Sequence, residues 1–469
     1  MLHAMDITQS LAKPDLSDPR PRSAVSSGVG LAGVAGLAMW ILIARSFGDL
    51  AGGLGIEPAW FGYQAWPDRA SGPIAALISL IFCGTPMLLW SLLIDKVHLR
   101  PSTGIDWSLQ RNVADVLDTS VIKLAGIWAT WALIAAIYAL CRWYWQPPYD
   151  FSMEVLSYAL IPLILFSVPY VVWLDRFMIE PRDGSWHFGA WIADRDDWNA
   201  QEIFHHLRAW AVKGFFLAFM ISIVPGGFAH IVTLNWAEAL SGPVSLAFML
   251  ITLMFLIDVQ LATVGYTLTM KPLDAHIRTA NPYLAGWVAA LACYPPFILV
   301  NDGRLIDYSI GTMGDHSWQH WLGGHAALIY LWAVLLVALT AIYAWATMAF
   351  GLRFSNLTHR GILTHGPYAF TKHPAYLSKN AFWWLSVMPF MVTTGSTTDA
   401  VRNTVMLGLV SAIYYWRART EEKHLMADPD YAEYAAWMER NAPIPRFFVK
   451  LRRLAGGRLR RDMHPEPAE

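Results

Sequence analysis

Charge is what this chain has least of. Only 15% of its 469 residues are Asp, Glu, Lys or Arg, where a soluble globular protein carries about a quarter. Hydrophobic side chains make up 55% and the mean hydropathy is +0.36, so a soluble domain is excluded and a polytopic membrane protein is expected. Cysteine is scarce as well. Cys83, Cys141 and Cys293 fall in or at the ends of apolar segments without paired spacing, which excludes a disulfide framework and a cysteine metal site. No G-x-G-x-x-G follows a strand pattern and no P-loop occurs, so the soluble nucleotide-binding folds are excluded too. No internal repeat, metal site or nucleic-acid partner is expected.

What the chain does have is a series of apolar windows. About 20 helical residues cross a hydrocarbon core of about 30 Å. Windows of that kind lie near 29–47, 73–94, 120–142, 153–174, 210–234, 242–266, 282–300 and 324–350. Two shorter ones, about 380–393 and 401–416, form a hairpin. Backbone polar groups in lipid must be satisfied within the segment, so the expected fold class is all-α, a polytopic transmembrane bundle of about ten helices.

Placing the N-terminus in the cytoplasm leaves only Arg45, Arg69, Arg142, Arg304 and Arg402, of 34 Lys and Arg, on the outer side. This positive-inside asymmetry puts both termini in the cytoplasm, with the plasma (inner) membrane the expected location. Residues 1–28 are polar and Pro/Ser-rich and are expected to be a disordered cytoplasmic tail. The loop at about 175–209 mixes Asp194, Asp196 and Asp197 with Trp186, Trp191 and Trp198, and is expected to lie on the membrane as a partly helical amphipathic element. The basic tail 449–469 suits anionic headgroups, or serves as a topology anchor.

Two polar stretches near the C-terminal end stand out against this background. In the first, His365–Leu377, Gly366-Pro367 forces a turn and Pro374 ends any preceding helix. That leaves Tyr368, His373 and Tyr376 on a rigid bend. In the second, Arg417 and Glu421 lie four apart on one helical face, and Glu422 adjoins them. A surface ion pair would explain the spacing alone, but paired carboxylates where a helix leaves the bilayer, facing another polar loop, also suit a cationic cofactor. One hydrophobic hairpin separates the stretches, so the second returns to the side of the first.

Gly366-Pro367-Tyr368…Lys372-His373-Pro374-x-Tyr376, followed by Arg417-x-x-x-Glu421-Glu422-x-x-Leu425…Tyr431-x-x-Tyr434…Pro445-Arg446-Phe447, resembles the isoprenylcysteine carboxyl methyltransferase and phospholipid methyltransferase superfamily. The resemblance covers about 322–448. It implies an integral-membrane enzyme that uses S-adenosyl-L-methionine and admits a lipophilic small-molecule acceptor, lipid or isoprenoid-like, from among the membrane lipids. It also implies a domain order of 29–320 as an N-terminal transmembrane region of unassigned role and 321–448 as the methyltransferase core. Carried onto this chain, Tyr368, His373, Pro374, Tyr376, Leu377, Glu421 and Glu422 are the implied cofactor residues. Glu422 and Arg417 are the implied catalytic pair, with Arg417 the candidate for an anionic acceptor group such as a carboxylate. Two departures stand out. Lys372 takes the place of the family's Arg, keeping charge but losing the fork, and Asp428-Pro429 replaces its Phe-Gly-like pair before Tyr431.

Sterol reductases, which use NADPH, resemble the same loop, with Asn where this chain has Ala375. A transporter or sensor retaining a vestigial methyltransferase-like domain is the reading from a different class. Asp258, inside the sixth span, motivates it, because intramembrane acids face a bundle interior or a cavity; a hydrogen-bonded structural Asp is its plain alternative. Glu202-x-x-His205-His206 lacks a third metal ligand.

Overall fold

In a computed structural model of the chain, residues 20–300, 303–444 and Arg446 are described, and helix dominates. In order come α1 (Ser27–Arg45), α2 (Phe47–Gly53), α3 (Pro73–Leu89), α4 (Val113–Cys141), α5 (Asp150–Asp175), α6 (Gly184–Ile192), α7 (Ala200–Thr233) and α8 (Trp236–Ala239). Then follow α9 (Pro243–Thr267), α10 (Leu284–Leu291), α11 (Ser317–Leu322), α12 (Ala326–Phe350), α13 (Pro374–Val387), α14 (Thr397–Leu425) and α15 (Pro429–Asn441). The strands named among the described residues are β1 (Thr279–Ala280) and β2 (Thr358–His359), paired antiparallel. Seven helices, α1, α3, α4, α5, α7, α9 and α12, are long and apolar enough to cross a membrane by length and composition. The basic tail 449–469 and residues 1–19 lie outside the described residues.

Three of the ten expected spans take other forms. The 282–300 window is not one helix: α10 stops at Leu291 and the chain continues irregularly through Pro295-Pro296, which cannot continue a helix. The chain still passes from one end of the bundle to the other. Ala280 pairs with Thr358 at one end, while Arg402 donates to the Asp307 carbonyl at the other, 2.9 Å. In the hairpin, α13 is 14 residues long, about 21 Å, too short to span alone. α14 has 29 residues, about 44 Å, and carries the second motif out past the apolar window.

Packing sharpens one further expectation and corrects another. The 175–209 loop is partly helical through α6, whose Trp186, Phe188 and Ala190 are buried against the protein while Trp191 and Ile192 are exposed. A Cβ on Gly189 would meet the Ile122 carbonyl oxygen at 1.9 Å, so α6 seats directly on α4. The N-terminal tail is held from Arg20 onward, with Thr364 Oγ1 donating to the Pro21 carbonyl, 2.7 Å, and Ala24 N to the Ile362 carbonyl, 2.8 Å.

Buried charges pin the elements together. Lys123 meets Asp175 at 2.5 Å and Asp183 at 3.3 Å, joining α4 to α5 and to the start of α6, while Arg353 meets Asp274 at 2.5 Å. Arg360 donates to the carbonyls of Gly265, Leu352 and Phe354 at 2.8 to 2.9 Å and to that of Ala275, tying the end of α9 to the loop after α12. Buried backbone acceptors need such donors, and this knot fixes the loop that roofs the cavity described next.

Candidate functional site

The His365–Leu377 bend is assembled from its prolines and from what it rests on. Gly366 has φ +59° and Pro367 opens a short 3-10 turn through Ala369. A Cβ at Gly366 would come within 3.1 Å of the Trp345 indole, so glycine serves both the left-handed backbone and the contact. Tyr434 Oη donates to the Tyr368 carbonyl, 2.8 Å, so α15 holds the turn from below. Pro374 takes the first position of α13, where its missing N–H costs nothing. Asp428 and Pro429 open α15 as N-cap and first residue, the Asp428 side chain accepting from Asp430 N at 2.8 Å; the departure at these positions therefore makes a sound helix start.

α14 lays Arg417, Thr420 and His424 along its buried side, three to four residues apart as a helix face requires. This brings the two polar stretches into contact. Tyr376 Oη donates to Glu421 Oε1, and the His373 and Tyr376 rings stack with centroids 5.8 Å apart. His373 Nε2 lies 2.9 Å and Lys372 Nζ 2.8 Å from Glu422 Oε1, and Arg419 lies 3.0 Å from Oε2. Burial by itself would raise the Glu422 carboxyl, but hydrogen bonds from His373 and Lys372 and their charge outweigh it and hold it down at about 2. Glu422 is thus the clamp between bend and helix.

Both stretches border one cavity enclosing about 1270 Å³ of space outside protein atoms, its mouth included. Tyr368, His373, Tyr376, Arg417 and Glu421 line it. Of the other expected residues, Glu422 stands behind His373, Pro374 is buried at the helix start, and Leu377 is 45% exposed. Arg417 is 3% exposed, its Cζ 5.1 Å from the Tyr376 ring centroid, 5.2 Å from Tyr414 and 5.7 Å from Tyr294. Its hydrogen bond is to Asn356 Oδ1, 3.2 Å, and its Nε has none. No carboxylate among the described residues lies within ion-pair distance of it.

Several cavity residues escaped sequence reasoning. Asn356 sits in the loop after α12; its Nδ2 donates to Tyr266 Oη at 2.9 Å and Tyr294 Oη at 3.3 Å while its Oδ1 faces Arg417. No local pattern marks it, because every partner is at least 61 residues away. Tyr294 comes from the irregular crossing. Tyr343 and Thr347 of α12 donate to Asp258, Tyr343 at 2.9 Å, so the flagged acid is hydrogen-bonded beside the cavity wall. Lys379, a charge at the very start of the apolar hairpin, was the one visible signal; it lines the cavity one turn beyond Tyr376. Among the described residues no group of three His, Cys, Asp or Glu is placed to hold a metal. No family model, no curated protein and no solved structure matches the chain.

Proposed function

We propose that the chain is an integral-membrane methyltransferase that uses S-adenosyl-L-methionine and methylates a lipophilic acceptor bearing an anionic group. The observation that carries the reading is the closure of the two polar stretches over one cavity, Tyr376 on Glu421 and His373 on Glu422, with Arg417 inside it. The residues present fit the cofactor. Glu421 presents a carboxylate to the cavity with Tyr376 on one oxygen, and its second oxygen is available to a ribose diol or a cationic centre. Tyr368, Tyr376 and His373 add aromatic faces. When bound there the cofactor supplies an electrophilic methyl group. The chain's part is positioning and charge placement: Glu422 fixes His373 and Lys372, and Arg417 orients the acceptor's anionic group.

An NADPH-dependent reductase would need clustered free cations for a 2′-phosphate. At the bend Lys372 and Arg419 are both engaged by Glu422, so among the described residues the free cations of the cavity are Arg417 and Lys379, set among aromatic rings rather than clustered at the bend. With the N-terminus inside, as the charge asymmetry favours, the site faces the cytoplasm. A cysteine introduced at exposed Lys423 then resists an impermeant maleimide in intact cells, and labelling from outside would reverse the orientation.

Calorimetry on the purified protein is the direct test. Saturable binding of S-adenosylmethionine or S-adenosylhomocysteine, weakened at least tenfold by His373→Ala, is expected. Saturable NADPH binding without response to either sulfur compound would sink the assignment, and uptake of a solute dependent on Asp258 with no cofactor requirement would replace it with the transporter reading.

A further inference from the structure

Five cations line the cavity: Arg353, Arg360, Lys372, Lys379 and Arg417. Three are satisfied within the protein, Arg353 by Asp274, Lys372 by Glu422 and Arg360 by main-chain carbonyls. Arg417 and Lys379 are left. The Lys379 ammonium lies 5.1 Å from the Tyr343 ring centroid and 5.2 Å from that of Trp383, and no carboxylate of the described residues comes within ion-pair distance of it.

The two cages share a wall. Trp383, which holds Lys379, packs on Tyr414, which holds Arg417, with centroids 5.3 Å apart. Tyr376 adds a second link, since it faces Arg417 and lies one helical turn before Lys379 on α13. Beyond Lys379 stands Asp258 of α9, its oxygens taken by Tyr343 and Thr347. Tyr343 therefore serves both groups, ring to the ammonium and hydroxyl to the carboxylate. Glu421, the other carboxylate here, accepts from Tyr376, and neither it nor Asp258 comes within ion-pair distance of Arg417 or Lys379. In a poorly solvated site an uncompensated cation is destabilising, and a ligand anion relieves it.

Resting on the methyltransferase reading for the site's purpose, we propose that Arg417 and Lys379 form a two-point clamp for the anionic head of the acceptor, a carboxylate or phosphate monoester on a single long hydrocarbon chain. Asp258, from a helix outside the 322–448 region, is a positioning residue: with Tyr343 it sets the far edge of the clamp and keeps Lys379 turned into the cavity. The guanidinium supplies planar paired donors and the ammonium a point charge, so the head is gripped from two sides and the tail is left to the apolar faces of α12 and α13.

Binding to the full chain in neutral detergent, without cofactor, tests this. The probes are oleate, oleoyl lysophosphatidate, oleyl alcohol, oleylamine and inorganic phosphate. Oleate or oleoyl lysophosphatidate is expected to bind saturably, with Kd weakened at least tenfold by Lys379→Gln and by Arg417→Gln and partly restored by Lys379→Arg. Unfolding temperature, followed in parallel, identifies variants that fail to fold, and Asp258→Asn then reports the clamp's edge with a loss smaller than Lys379→Gln. Equal binding of oleyl alcohol, or full affinity in Lys379→Gln, overturns the clamp. Phosphate binding as tightly as the lipids overturns the lipid source. S-adenosylhomocysteine binding on the same preparation separates the two readings: its absence with the lipid pattern intact removes the methyltransferase and leaves the clamp, and the reverse result does the opposite.

Discussion

Lys123 and Arg417 are buried alike, 4% and 3% exposed, yet they are housed on opposite terms. Lys123 sits among Ser120, Asp175 and Asp183, with Asp175 at 2.5 Å. Arg417 sits among three tyrosine rings and one amide oxygen. Burying either cation costs several kcal/mol. At α4–α5–α6 the protein's own carboxylates offset that cost, so the charge fastens the fold. In the cavity the rings return only about 0.5–2 kcal/mol each, so the charge keeps the capacity to attract an anion. A buried charge with its counter-ion is structural, and one without is a reason to look for a ligand.

The largest effect that would break this contrast is on stability. Asp175→Ala removes the nearer carboxylate from the Lys123 ammonium, leaving Asp183 at 3.3 Å, and should cost about 3 kcal/mol in unfolding experiments in detergent, whereas Arg417→Gln should change stability by less than about 1 kcal/mol. If the two variants unfold alike, Arg417 is a structural residue and the contrast fails. Next in size is activity. Once an acceptor is in hand, Arg417→Ala should lower kcat/KM for it at least about a hundredfold, about 2.7 kcal/mol, with cofactor affinity changed less than about twofold; matched losses in both would make Arg417 a prop for Glu421.

A third test sharpens the comparison at the clamp, whose charges are paired yet serve the site. Glu422→Gln should weaken S-adenosylhomocysteine binding about tenfold, or 1.4 kcal/mol. Its folded value of about 2 lies below the ordinary 4.5, so its contribution is full above about pH 4.5 and is lost as pH falls toward 2. The wild type should therefore lose stability across that window, and the Gln variant should show a flatter acid limb. The smallest effect is expected from Tyr434→Phe, which removes one neutral hydrogen bond under the bend, about 1 kcal/mol. A thermal shift larger than that of Glu422→Gln would move the clamp's centre to α15.

Sequence periodicity makes the long apolar helices legible because a lipid-facing segment has to be apolar all round, and seven of the ten expected crossings have that form. It fails at 282–300, where composition is apolar but Pro295-Pro296 and packing against α14 allow a crossing that is helical over Leu284–Leu291 alone. The meeting of His373 and Tyr376 with Glu422 and Glu421 was legible as the return of a hairpin. Asn356, Tyr294 and Asp258 as members of the same cavity neighbourhood were not, since they come from three elements far apart in the chain and share no spacing. At α6 the amphipathic pattern marks one face for burial, but not that α4 takes Trp186 while Trp191 stays exposed.

The broken crossing has a consequence for how the protein is made. Leu284–Leu291 is about 12 Å long, and the residues from Ala292 to Val300 leave backbone groups that lipid cannot satisfy. The α14 side chains that pack on this stretch, Tyr414 in one cluster with Cys293 and Val300 and Arg417 over the Tyr294 ring, are synthesised more than a hundred residues later. At 5–20 residues per second, the ribosome needs on the order of ten seconds to supply them. Over that interval the segment has nowhere in the bilayer to go, so it must wait at the insertion machinery or at the interface. The cavity is then sealed on that side last, as a late event of biogenesis, and a chain truncated before α14 should retain its earlier spans while exposing 282–300 to protease.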